Sequence, residues 1–194
     1  MGTATAAEAD LPTLLSGLSR PTPETVPFVE VRFSSLLTQA LVVKGDLERR
    51  SDGSLVRNIR APYQETATLL GDNVSVVRDG ERPRRFSLER APALRVLVDG
   101  FGAILRGDAD TLQKTFYVSA EEFPRYWSIV LTAKDARLRG QFSRIQLDGQ
   151  GRNPRCLTLQ DSDGDTTVMT MGAGISGLLQ SPISPESLRS VCTG

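Results

Sequence analysis

The chain has 194 residues, with 23 lysines and arginines matched by 23 acidic residues and no histidine at all. Zero net charge argues against a general nucleic-acid binder, which needs a basic face to displace counterions. The missing histidine removes Ser-His-Asp and Cys-His catalysis, histidine-ligated zinc and the usual neutral-pH proton shuttle.

Hydrophobic residues make up 39% and charged residues 24%, a globular rather than a disordered composition. A chain of this length buries roughly 70% of its unfolded surface, enough for one self-sufficient core, so residues 1–194 are read as a single domain. Residues 1–9 are small and Ala-rich, with neither a basic n-region nor an apolar h-region, and are expected to be disordered. They read either as the beginning of a mature chain whose signal peptide has been removed or as the ragged start of a cytosolic protein. No apolar run approaches the ~18 residues that span a bilayer. The longest, 91–105, is broken by Arg95, Asp99 and two glycines.

Asp10 caps a first helix whose Leu11, Leu14, Leu15 and Leu18 form one apolar stripe, and Pro21 and Pro23 end it. The period then changes to two. Val29, Val31 and Phe33 alternate with Glu30, Arg32 and Ser34, as in a strand with one buried face. A second strand follows at 41–49, with a tight turn at 51–54. Runs at 55–60, 63–70, 74–78 and 84–89 end at turn signals, at the spacing of an antiparallel sheet. Leu94, Leu97, Val98, Phe101, Ile104 and Leu105 then keep a helical period between Pro92 and Gly107. Gly100 and Gly102 weaken that helix, and 108–113 adds a further helical turn. Strands resume at 114–119, 126–132, 141–147, 155–160 and 166–171. The tail 172–194, with four glycines and two Ser-Pro pairs, is expected to be irregular. About eleven strands, an N-terminal helix and a central helix, without βαβ alternation, make an antiparallel α+β protein.

Several motifs fail on mechanism. Gly172, Gly174 and Gly177 spell G-x-G-x-x-G, but Pro182 cuts off the helix that dinucleotide binding needs, and Cys192 stands about where the ribose-binding acid belongs. Asp161, Asp163 and Asp165 resemble the start of a calcium loop, yet Thr166 and Gly172 hold the positions that need Gly and Glu, so a hairpin turn is expected. Arg82, Arg84, Arg85 and Arg90 form a basic cluster, read as a solvated edge or as a patch for an acidic partner or anionic membrane. No pair of carboxylates is marked out as an acid/base couple. No metal site, cofactor or enzymatic activity is expected. Cys156 and Cys192 would be buried thiols in the cytosol, or could pair in an oxidising compartment.

The order of these pieces resembles the LolA-like family, the periplasmic carriers of outer-membrane lipoproteins. Val31 and Phe33 running into Gly45-Asp46-Leu47 resemble its opening strands. Ala61-Pro62 followed by Gly71-Asp72-Asn73-Val74 and Val76 looks like its hairpin. Trp127, Leu131, Thr132 and Lys134, then Phe142, Ile145 and Leu147, then Leu157, Leu159, Asp165 and Thr167, resemble its closing strands. Ala133 departs from a common family proline, and the tail is unlike the carrier's ending. The chain therefore looks like a divergent member.

The resemblance implies an unclosed β-barrel, a half-barrel with the two helices as a lid and an apolar concave face that takes acyl chains. It implies a periplasmic protein whose signal peptide has been removed, which tilts Cys156 and Cys192 towards a disulfide. A family arginine that bears on lid closure maps to Arg50 or Arg49. Strand alternation and the helix stripe then nominate the cavity wall: Val31, Phe33, Val43, Leu47, Leu69, Val76, Phe86, Leu97, Phe101, Leu105, Trp127 and Leu131. The expected function is carriage of a lipid or lipidated protein from an inner-membrane donor to an outer-membrane acceptor. A monomer is expected, since nothing in the sequence favours a dimer. The alternative is a non-carrying periplasmic module that docks a partner through its Arg-rich edge.

Overall fold

The computed structural model describes residues 7–172 and 183–194. A two-residue strand β1 (Ala7–Glu8) precedes helix α1 (Leu11–Leu18). Six strands follow: β2 (Glu24–Phe33), β3 (Leu41–Arg49), β4 (Leu55–Ala61), β5 (Glu65–Leu70), β6 (Asn73–Arg78) and β7 (Arg84–Ser87). Helices α2 (Pro92–Arg106) and α3 (Ala109–Thr115) interrupt them. The second run is β8 (Phe116–Glu122), β9 (Trp127–Ala133), a short helix α4 (Ala136–Arg139), β10 (Phe142–Gln150), β11 (Asn153–Asp161) and β12 (Thr166–Met171). Helix α5 (Pro185–Thr193) closes the chain.

All the strands join one antiparallel sheet in the order β1-β8-β9-β10-β11-β12-β2-β3-β4-β5-β6-β7. Among the described residues the end strands β1 and β7 do not pair with each other, so the sheet is open. This is the expected unclosed antiparallel architecture, with twelve strands where about eleven were expected. The extra strand comes from residues assigned to a disordered start. Ala7 and Glu8 pair with Glu122 and Glu121, and the Ala9 amide donates to the Ala120 carbonyl at 3.0 Å. Residues 1–6 and the glycines Gly174 and Gly177 lie outside the described residues.

Local chemistry accounts for the helices. The Asp10 carboxylate accepts from the Thr13 amide at 3.1 Å and starts α1, burying the predicted leucine stripe. Gly107 ends α2 in the left-handed conformation, at φ 72°. The glycines inside α2 have a packing reason at Gly100, where an added Cβ would stand 3.0 Å from the Phe116 ring. The tail departs from its irregular reading. Ser184 and Ser187 form a reciprocal capping box, Pro185 stands in the first turn, and α5 buries Leu188 and Cys192.

Strand register divides the sheet into two faces. On the front, α1, α2 and α3 pack through Leu15, Leu18, Ile104 and Leu112 onto Phe116, Trp127, Ile129, Ile145 and Leu147. This layer continues through Phe28, Val43, Ile59 and Met169. On the back, α5 lies over Val29, Val31, Cys156 and Val168. A disulfide joins Cys156 of β11 to Cys192 of α5, with the Cα atoms 5.4 Å apart. The hairpin expected in place of a calcium loop is present, with the Asp161 amide donating to the Asp165 carbonyl at 2.9 Å.

Candidate functional site

The front face has a closed half and an open half. Over β8, β9 and β10 the helices pack closely: Leu15 and Ile129 are 0% exposed and Phe116 is 1% exposed. Over β3 to β7 the cover thins. Register places Leu47, Arg57, Ala67 and Val76 in one row across this half, and Arg49, Leu55, Leu69, Val74 and Phe86 in the next. Residues paired across antiparallel strands share a face. Leu47, Leu55, Ala67, Leu69 and Val76 are only half-buried, and Phe86 is exposed. At its start α2 is tied to this half by the Arg95 guanidinium, 2.8 Å from the Asp72 carboxylate in the β5–β6 turn. On α2, Leu97, Phe101 and Leu105 are half-buried, while Leu94 is exposed.

Of the twelve predicted wall residues, Val43, Leu47, Leu69, Val76 and Phe86 stand on the open half, and Leu97, Phe101 and Leu105 lie on α2. Trp127 and Leu131 lie in the closed half, packed among the helices and nearly sealed. Val31 and Phe33 must be corrected. They point to the back face, where Val31 pairs with Val42 and Val168 and packs under α5 with Phe33 beside it. The reason is that β2 is covered on both faces. Its regular apolar set meets α5, while its front carries Phe28 and Glu30.

The two predicted arginines separate. Arg49 donates to the carbonyls of Arg20 and Pro21, the latter at 3.5 Å, and lies 3.9 Å from Glu24. It therefore clasps the connection between α1 and β2, and its buried Nε has no partner among the described residues. Arg50 faces solvent and pairs with Glu48 at 3.0 Å, a hydrogen bond that raises its pKa above the usual arginine value.

Sequence reasoning missed Arg57. It stands on the apolar floor, donates to Glu30 at 2.8 Å, and lies 4.0 Å from Glu65. Its guanidinium is 5.2 Å from the centre of the Phe28 ring. Nothing in the alternation of β4 marked it out, because its partners arrive from β2 and β5. A polar floor group of this kind can orient the polar end of a bound molecule, while the surrounding side chains can shield apolar chains from water. Arg82, Arg84 and Arg85 are exposed on or beside the edge strand β7, and Arg90 is exposed just after it.

Solved structures resemble this chain in arrangement, at low identity. The LolA superfamily protein NE2245 from Nitrosomonas europaea is 11% identical, with TM-score 0.44, over 84% of this chain and 90% of that one. LprF from Mycobacterium bovis is 15% identical, with TM-score 0.38, over 89% and 94%. The MucA/MucB complex of Pseudomonas aeruginosa gives 11% identity and TM-score 0.41, over 85% of this chain and 58% of that one. No curated protein sequence matches. The model of the family described as outer membrane lipoprotein carrier protein LolA-like matches residues 3–194, nearly the whole chain. The chain belongs to the LolA-like family.

Proposed function

We propose that this protein is an extracytoplasmic carrier that holds an acyl chain on the open half of its front face and passes it between membranes. The observation that carries the reading is the incomplete cover over β3 to β7. There two neighbouring rows carry the half-buried Leu47, Leu55, Ala67, Leu69 and Val76 and the exposed Phe86, which the helices leave less covered than the other half. Family membership supports the same reading.

The chemistry needs no catalytic group, and the reading assigns none. Each buried methylene is worth about 0.8 kcal/mol, so most of one long chain approaches ~10 kcal/mol before the losses of association. Release needs the cover to move, and Arg49 holds the segment that joins α1 to the sheet. The cargo is a lipid or a lipidated protein, with membrane-bound proteins as donor and acceptor, and the carrier works as a monomer. The disulfide fits an oxidising compartment such as the periplasm.

Native mass spectrometry of protein purified from secreting cells, before and after organic extraction, tests this. The expected result is an acyl-chain mass that extraction removes. A bare chain mass that incubation with lipid vesicles does not change would overturn the reading. A second reading, a docking module without cargo, is favoured by one observation. Arg82, Arg84 and Arg85 are exposed at β7, a sheet edge with unpaired backbone groups that an extended acidic segment could extend.

A further inference from the structure

The back face carries a second concavity, separate from the acyl floor. It is a groove of about 810 Å³ between α5 and strands β8 to β12. That volume suits a small ligand. Its floor mixes polar side chains with the aliphatic Val130 and Val168. Asp148 of β10 sits at the bottom, 4% exposed, paired across the sheet with Ser128 on one side and Cys156 on the other.

Among the described residues the Asp148 carboxylate is under-used. Its side-chain partner is the Gln146 amide, at 2.9 and 3.1 Å from the two oxygens. An ionised carboxylate offers about four acceptor positions. Gln146 is itself oriented by Arg144, which donates to its carbonyl oxygen at 3.0 Å. A buried acceptor with spare capacity, in a groove large enough for a ligand, calls for donors.

The lining also specifies charge. Glu121 and Asp148 bring two carboxylates, and Arg144 and Arg189 bring two guanidinium groups, so the groove has no net sign. A strongly charged ligand would gain from one pair and lose to the other. At the rim, the rings of Phe123 and Tyr126 stack with centroids 4.2 Å apart and 9° between planes. A stacked pair still has outer faces, and such a face accepts the C–H side of a pyranose ring. An acyl chain would leave the floor groups without partners.

We propose that this back-face groove binds a neutral, hydroxyl-rich ligand of saccharide type, with Asp148 accepting from its hydroxyls and the Phe123–Tyr126 pair flanking its ring. The proposal is independent of cargo on the front face.

Amide-resolved NMR titration of the whole chain, with glucose, mannose, galactose and maltotriose each at millimolar concentration, tests it. At least one sugar should shift amides of β8 to β11 and α5 together, and leave those of β4 to β7 unmoved. Asp148→Asn keeps the shape of the side chain and should weaken binding about tenfold, the loss of one charge-assisted hydrogen bond. Tyr126→Ala, at the rim, should weaken it too without threatening the core. Absence of any shift with all four sugars would overturn the proposal. So would shifts scattered over the surface, or shifts that neither variant reduces.

Discussion

The front and back of the sheet are covered by different physics. In front, α1, α2 and α3 bury a continuous apolar layer, and nothing covalent is needed to hold them. Behind, α5 offers only Leu188 and Cys192 as buried residues along nine positions. So short a stripe is a weak hold, and the Cys156–Cys192 bond replaces burial by chain restraint. The front can therefore be loosened residue by residue, whereas the back depends on one bond.

Breaking that bond should give the largest effect. The cysteines are 36 residues apart, and closing a loop of that size restrains the unfolded chain by about 4 kcal/mol. Cys192→Ser should lower denaturant stability by that order, and hydrogen exchange should speed far more in α5 than at amides of β8 and β9, which lose only what the global loss takes. Equal loss of protection on both faces would show that the back is coupled to the front after all.

The two halves of the front come next. Ile129→Ala, in the closed half, should cost about 3 kcal/mol, because the helices above it cannot collapse into the void. Leu69→Ala, in the open half, should cost roughly 1 kcal/mol and instead weaken uptake of a fluorescent fatty acid. Similar stability losses at both positions would mean that the open half is an ordinary core.

Smaller again is the helix-to-strand approach at Gly100. An alanine there improves helix propensity by about 1 kcal/mol, but its Cβ meets the Phe116 ring. Phe116 is sealed and cannot step aside freely. The net change should be a loss of roughly 1 kcal/mol in thermal unfolding, and a gain would show slack between α2 and β8. Arg49→Met should cost about 1 kcal/mol and release the α1–β2 connection, accelerating fatty-acid exchange in stopped-flow measurements.

The sequence made the front legible and the back largely illegible, for reasons visible in particular residues. Leu11, Leu14, Leu15 and Leu18 form a full helical stripe, and Val29, Val31 and Phe33 a full strand alternation, so existence and type were readable. Which face the alternation serves was not, because α5 was invisible. Its capping serines and Pro185 look like turn punctuation, and two buried positions make no readable period. Without α5, the apolar set of β2 had only the helix side to belong to. Arg57 was hidden for a different reason. A residue whose meaning comes from Glu30, Glu65 and Phe28 has no local signature.

The smallest expected effect concerns the fastening of β2 to the β11–β12 turn, where both faces share one strand. Asp165 lies 3.4 Å from Arg32, and hydrogen bonds from Ser34 and then Arg32 hold its carboxyl below its ordinary value of 3.8. A carboxyl depressed in the folded state adds stability that is fully present above the ordinary value and is lost as pH falls through the folded one. Asp165→Asn should therefore lower the melting temperature slightly at neutral pH, and the gap from the parent should shrink to nothing in strong acid. Because the Arg32 side chain is exposed, salt should narrow the gap as well. A gap that widened towards acid would reverse the sign of this linkage and show that Asp165 is strained by its neighbours rather than held by them.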